Sequence, residues 1–175
     1  MSLMDFHSSR LQHQPLRAAH WPVFYALHQH PEVMRYVADI GDIDEVQERF
    51  QQRLNPTSMQ PCWYTWAIAK RSGELIGVTG FYRHSEHLAE LGFMLLPQYQ
   101  GQGLGSESLH ALLEHGHSQF SLREYTATVT AGNEASRALL LKQGFTQHCQ
   151  GYNGYYINGE EVEDWLFKRT FSDGE

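Results

Sequence analysis

Apolar and polar positions recur with two different periods along this chain, and the changes of period mark its elements. Leu11 to Leu16 reads as a short first strand. Trp21, Phe24, Tyr25 and Leu27 fall at helical spacing and predict a helix over Ala18 to His28. Pro31 to Val37 reads as a short helical turn with proline at its start. Asp42 to Leu54 predicts another helix, because Glu45 follows Asp42 at the spacing of a capping box. Asn55 to Pro61 is rich in breakers and predicts a loop. Three strand-like runs come next: Trp63 to Ala69, Leu75 to Tyr82 and Leu88 to Leu96. The turn Arg71 to Glu74 and the polar bend Arg83 to His87 separate them, and together they predict an antiparallel meander.

The second half changes character. Leu104, Ser108, Leu109, Leu112 and Leu113 lie on one helical face. Tyr125, Ala127 and Val129 alternate with Thr126, Thr128 and Thr130, the period of a strand. Asn133 opens another helix that ends near Gly144, with Ala135, Ala138, Leu139 and Leu141 as its expected apolar face. Gly151 to Ile157 and Val162 to Lys168 flank Asn158-Gly159, a strong signal for a tight hairpin. Antiparallel strands, then a strand–helix–strand unit, then helix and hairpin give an α+β class with a mixed, mostly antiparallel twisted sheet flanked by helices. The 175 residues fit a single domain, 1–175, with its core over about 10–170.

Composition narrows the partners. Thirteen Lys+Arg against 20 Asp+Glu give a net charge of −7, which argues against nucleic acid, since phosphate neutralisation needs clustered cations. The same charge leans toward cationic partners such as amines. No apolar stretch reaches the ~20 residues of a membrane span, the N-terminus has no apolar segment of signal-peptide length, and the cytoplasm is the expected location. Cys62 and Cys149 match no metal-ligand spacing, and no metal is expected. The eleven histidines are scattered; His84 and His87, in the bend before Glu90, read as solvated loop residues. No Gly-x-Ser-x-Gly elbow marks a hydrolase.

Candidate chemistry concentrates in Gln100-Gly101-Gln102-Gly103-Leu104-Gly105, between a strand and a helix. Glycines there let a backbone approach a ligand closely, and the first amides of the following helix lack intrahelical partners. Such an end favours a phosphate or pyrophosphate. A P-loop would need Lys after Gly103, where Leu104 stands, and a dinucleotide site would need a further glycine where Ser106 to Ser108 stand. Coenzyme A remains as the phosphate-bearing candidate, beside a tight turn that only lets the helix pack on the sheet.

Gln100-x-x-Gly103-x-Gly105 resembles the [Arg/Gln]-x-x-Gly-x-[Gly/Ala] signature of the GNAT acyltransferase superfamily. Ala89 to Leu95 looks like that family's fourth strand, and Asn133-x-x-Ser136-x-x-Leu139-x-x-Lys142-x-Gly144-Phe145 resembles its later motif. Pro31 to Tyr36 is similar to the RimJ/RimL branch, which acetylates ribosomal-protein N-termini. The resemblance runs from Leu11 to Arg169. It implies a GNAT-like fold in which two strands splay to form the acyl-CoA cleft. The implied activity is N-acetyl transfer from acetyl-CoA, as co-substrate, to a primary amine by direct attack in a ternary complex. That amine is a protein N-terminal α-amine or a small molecule. The alternatives are an acyl-CoA sensor or subunit without turnover, and an acetyltransferase for an amino sugar or antibiotic. Either a monomer or a homodimer is compatible.

The resemblance also assigns roles. The loop residues Gln100, Gly101, Gln102, Gly103, Leu104, Gly105 and Ser106 would face the pyrophosphate. Phe93, Met94 and Leu95 would contact the pantetheine arm through their main chain, with the Met94 amide as oxyanion donor. Asn133 would hold the pantetheine or cap its helix; Leu139 and Lys142 share its motif. Glu90, set among apolar residues and expected to be buried, is the first choice of base. Where many relatives carry a tyrosine four residues before the closing Gly-Phe, this chain has Leu140, so Ser136 is the nearest hydroxyl to assist the leaving thiolate.

Overall fold

The computed structural model describes residues 4–57 and 61–172. Its eight strands form one sheet: β1 (Phe6–His7), β2 (Leu11–Pro15), β3 (Cys62–Lys70), β4 (Leu75–Arg83), β5 (Leu88–Leu95), β6 (Glu124–Thr130), β7 (Thr146–Ile157) and β8 (Glu160–Thr170). The order across the sheet is β1-β2-β3-β4-β5-β6-β8-β7. Only β5 and β6 run parallel, joined by the crossover helix α4 (Leu104–Phe120). The mixed, mostly antiparallel α+β reading therefore holds.

Strand alternation divides the core into two layers. Trp66, Phe81, Leu91, Tyr125, Ala127 and Phe167 pack on one face against Leu109, Leu112 and Leu113 of α4 and Leu140 of α5 (Glu134–Lys142). On the other face Ala67 and Val78 meet Phe24 and Leu27 of α1 (Trp21–Gln29) and Val46 and Phe50 of α3 (Ile43–Arg53). A one-turn helix, α2 (Pro31–Met34), links these two. The capping box at the start of α3 is formed: Asp42 accepts from the Glu45 amide at 3.0 Å, and Glu45 accepts from the Asp42 amide at 3.0 Å. Asn158 and Gly159, at φ 53° and 77°, make the β7–β8 hairpin turn.

Three sequence readings need correction. The strand β1 has only two residues, below what periodicity detects, and β7 begins at Thr146, five residues before the expected start. The helix α5 turns a different face inward. Leu140 is fully buried, Ala135 and Ala138 are exposed, and Leu141 is 41 % exposed. The cause is its C-terminus. Gly144 at φ 81° lets its amide donate to the Leu141 carbonyl (3.0 Å) and lets the Phe145 amide donate to the Leu140 carbonyl (3.1 Å). That Schellman arrangement brings Phe145 and Leu140 into the same core cluster. Part of the loop expected over Asn55 to Pro61 lies outside the described residues.

Candidate active site

The glycine-bearing loop turns the chain from β5 into α4. Gly101 (φ 71°) and Gly103 (φ 77°) both hold the left-handed conformation, which a β-carbon disfavours. The first intrahelical bond runs from the Glu107 amide to the Gly103 carbonyl at 3.0 Å. The amides of Leu104, Gly105 and Ser106 precede it and have no carbonyl four residues back to bind. Gly105 has a separate reason: a β-carbon there would lie 3.1 Å from Leu139 Cδ1 and 3.4 Å from Leu95 Cδ1. The helix start is thus pressed against both β5 and α5. Gln143 Nε2 tightens that seam by donating to the Ser106 carbonyl (3.2 Å) and hydroxyl (2.9 Å). Gln100 Nε2 donates to the Leu95 carbonyl at 2.9 Å, and Gln102 Nε2 to that of Gln98, also at 2.9 Å.

A lock that sequence reading missed holds this loop from behind. Arg10 Nε meets Glu107 Oε2 at 2.6 Å, Arg10 Nη1 donates to the Gln102 carbonyl at 3.1 Å, and the Arg10 amide donates to Glu107 Oε1 at 2.6 Å. The Ser8 hydroxyl adds a 2.7 Å bond to Glu107 Oε1. Burial alone would raise the Glu107 carboxyl, but these donors outweigh it and hold it below the usual carboxylate range. Nothing in the local pattern near Arg10 signals a partner 97 residues away.

The parallel pairing of β5 with β6 comprises Leu88–Glu124, Ala89–Tyr125 and Glu90–Thr126, and stops there. Beyond Glu90 the two strands part. The His84 amide donates to the Leu88 carbonyl and the Leu96 amide to the Ile76 carbonyl, both at 2.9 Å, so the even-numbered residues of β5 pair with β4. The main chains of Phe93 and Leu95 therefore face the gap, whereas the Met94 amide, expected there, turns to β4. Their side chains remain structural: Phe93 packs on the α4 layer and Met94 on the α1–α3 layer. The opening is bounded by the glycine loop at the far end of β5 and by α5, so the residues present suit an extended ligand that ends in a diphosphate.

Glu90 stands where the strands part. It is not buried as the sequence led us to expect: its side chain is 37 % exposed, because its face of β5 and β6 is left open. Thr128 Oγ1 donates to Glu90 Oε1 at 3.2 Å, and His84 Nε2 lies 3.4 Å from Glu90 Oε2. His84 is therefore beside the carboxylate as well as in the bend. His87 instead turns its Nδ1 to the Ser121 carbonyl at 2.9 Å. Thr128 leads into a cavity of about 240 Å³ that is also lined by Cys149, Gly151, Asn153, Asp164 and Leu166. The segment after α2 reaches the hairpin over this side of the sheet: the Tyr155 hydroxyl donates to the Val37 carbonyl, and the Asn158 amide to Asp39 Oδ1 at 2.7 Å. A larger depression of about 540 Å³ lies between Phe6–Ser9 and the outer side of α4, and adjoins Glu107 rather than Glu90.

The motif on α5 divides. Asn133 Oδ1 accepts from the Ser136 amide at 3.2 Å, so the capping alternative describes its side chain here. Ser136 is half-buried and Lys142 exposed; Leu139 touches the glycine loop. Leu140 points into the core, so the position of the missing tyrosine does not face the gap. Among the described residues no group of three or more His, Cys, Asp or Glu side chains could hold a metal ion. No helix among them is long and apolar enough to cross a membrane.

A sheet opened between its two parallel strands, with a glycine-turned helix start at the mouth, is the GNAT arrangement. The family model for the acetyltransferase (GNAT) domain matches residues 10–146, and the chain belongs to that family. It is an acetyl-CoA-dependent N-acetyltransferase. The chain is 26 % identical to the uncharacterized N-acetyltransferase YnaD of Bacillus subtilis (strain 168), over 93 % of this chain and 99 % of that one. It is 35 % identical to the ribosomal-protein-serine acetyltransferase of Escherichia coli (strain K12), over 43 % of each chain. Among solved structures, RimL, a ribosomal L7/L12 α-N-protein acetyltransferase in complex with coenzyme A, superposes with a TM-score of 0.84 at 20 % identity. That match covers 95 % of this chain and 98 % of the other.

Proposed function

We propose that the enzyme acetylates a primary amine, of a small molecule or a chain N-terminus, by direct attack while both substrates are bound. The observation that carries this reading is the parting of β5 from β6 immediately after Glu90. It gives the two substrates separate approaches to one point. The acyl donor enters from the glycine loop, held by the amides of Leu104, Gly105 and Ser106 and by the free edge of β5 at Phe93 and Leu95. The amine enters from the opposite side, over the face that carries Glu90 and Thr128.

Glu90 takes the proton that the incoming ammonium must lose, directly or through a water, and the Thr128 hydroxyl fixes the carboxylate for that task. The Phe93 amide, on the unpaired edge of β5, is the donor aimed at the negative charge that develops on the carbonyl oxygen. The Ser136 hydroxyl supplies a hydrogen bond to the departing sulfur. The roof formed by Val37, Asp39 and the hairpin favours a compact amine or a chain end over a lysine on a folded surface.

The test is release of free thiol from acetyl-CoA with a panel of amines and N-terminal peptides, with mass spectrometry of the product. Initial-rate lines that intersect, and survive the Cys149→Ala substitution, are expected for direct attack. Parallel lines abolished by Cys149→Ala would mean that this cysteine, in the acceptor cavity, carries the acetyl group first.

A further inference from the structure

The net charge of −7 suggests a cationic acceptor, but α3 sets two arginines, Arg49 and Arg53, beside the face of the sheet that carries Glu90. Trp63, Tyr82, Glu90 and Thr126 are in register across β3, β4, β5 and β6, and so project from the same face of the sheet. The Trp63 ring extends along that face toward the point where β5 leaves β6: a β-carbon on Gly92 would lie 3.2 Å from two of its ring atoms. On the Trp63 ring lies the guanidinium of Arg53, 4.5 Å from the ring centroid, with Phe24 at 5.8 Å on α1.

Arg53 has no carboxylate within ion-pair distance among the described residues, and its Nη1 donates to one neutral acceptor, the Arg49 carbonyl, at 3.2 Å. One turn earlier Arg49 projects to the same region, and no described side chain pairs with its guanidinium. Burial lowers the Arg53 guanidinium to about 10, and Arg49 adds to the effect. The Arg49 charge also acts on Tyr155: burial raises that hydroxyl, and Arg49 pulls it partly back. Asp39 and Asp164 act on Tyr155 as well, but each is engaged elsewhere, Asp39 by the Asn158 amide (2.7 Å) and Asp164 by the Thr130 hydroxyl (3.5 Å).

Two adjacent guanidinium groups, partly withdrawn from water and without a counter-ion, cost stability unless an anion joins them. We propose that Arg49 and Arg53 bind an anionic group on the acetyl acceptor, which is a primary amine that also carries a carboxylate or a phosphate. The ammonium end lies toward Glu90 and the anionic end toward the Trp63–Arg53 stack. This rests on the acetyltransferase reading above and adds the acceptor's chemical class.

The experiment compares kcat/KM for an α-amino acid, its uncharged amide, an aminoalkyl phosphate and a diamine of similar length. Wild type is expected to prefer the anionic amines at least tenfold, the carboxylate and phosphate arms showing which anion fits. Arg49→Gln and Arg53→Gln should erase that preference by raising the acceptor KM with the acetyl-CoA KM unchanged, and Arg53→Lys should restore part of it. A preference for the diamine or the amide, or selectivity unchanged in both glutamine variants, overturns the inference and leaves the acetyltransferase reading standing. Absence of thiol release with every amine overturns that reading, and the inference with it.

Discussion

Glu90 and Gly103 carry different demands, and substitution separates them. Glu90 is held between Thr128 and His84 on an open face, so its replacement leaves the packing intact. Glu90→Gln should lower kcat about 10²–10⁴-fold, the usual contribution of a positioned base, with the acetyl-CoA KM unchanged; a kcat within a few-fold of wild type would remove it from proton transfer. In the proposed mechanism Gly103 instead serves the donor. At φ 77° a valine there is strained by roughly 1–3 kcal/mol and would also crowd the ligand approach. The expected outcome is a raised acetyl-CoA KM, well above any change in the amine KM. Gly73→Ala, in a remote turn at φ 88° with nothing within 4 Å of the added carbon, controls for the backbone cost alone.

At the scale of elements, the site is assembled by termini rather than by helix or strand interiors. The start of α4 leaves amides without helical partners, the C-terminal Schellman turn of α5 brings Leu140 and Phe145 into one core cluster, and the end of β5–β6 pairing opens the gap. The capping box of α3 holds the helix that presents Arg49 and Arg53. Asp42→Ala should therefore cost about 1 kcal/mol, read as a fall of roughly 2–4 °C in Tm. A Tm unchanged within error would mean that tertiary packing alone fixes the first turn. The same reasoning explains a misread face. Periodicity ranked Ala135, Ala138, Leu139 and Leu141 as the apolar stripe, but the turn at Gly144 places Phe145 on Leu140 and rotates the helix accordingly.

The molecule as a whole is built to be stable above mildly acidic pH. Four histidines are buried, and burial is the main cause in each case of a lowered pKa: to about 4 for His13 and His28, and in the same direction for His20 and His115. His13 and His115 stack against Phe6 at 4.2 Å and 4.3 Å, and His13 Nε2 is hydrogen-bonded to the buried Ser108 hydroxyl at 2.8 Å. Each folded value lies below the ordinary 6.5 of the unfolded chain, so the unfolded state binds more protons between the two. Stability is then complete above pH 6.5 and falls as the pH drops toward about 4, by about 3 kcal/mol for each of His13 and His28 once below both values. Urea midpoints measured from pH 7.5 to 4.5 should decline across that window, and less steeply in His28→Gln; a flat profile between pH 6.5 and 5 would contradict the burial account.

What the sequence alone determined is what short-range physics sets. Leu109, Leu112 and Leu113 declared the crossover helix by spacing, Asn158-Gly159 the hairpin by its φ preference, Asp42 and Glu45 the cap, and Gly101 and Gly103 the glycine turn before α4. Each of these depends on neighbours within four residues. Only the tertiary structure decided that Glu90 is open to solvent beside Thr128 and His84, that Arg10 braces the Gln102 carbonyl, and that Arg53 lies on Trp63. Those contacts join residues from 6 to 92 positions apart. Their geometry follows from where β5 and β6 stop pairing, which depends on strand register and on packing from both layers and leaves no local periodic trace.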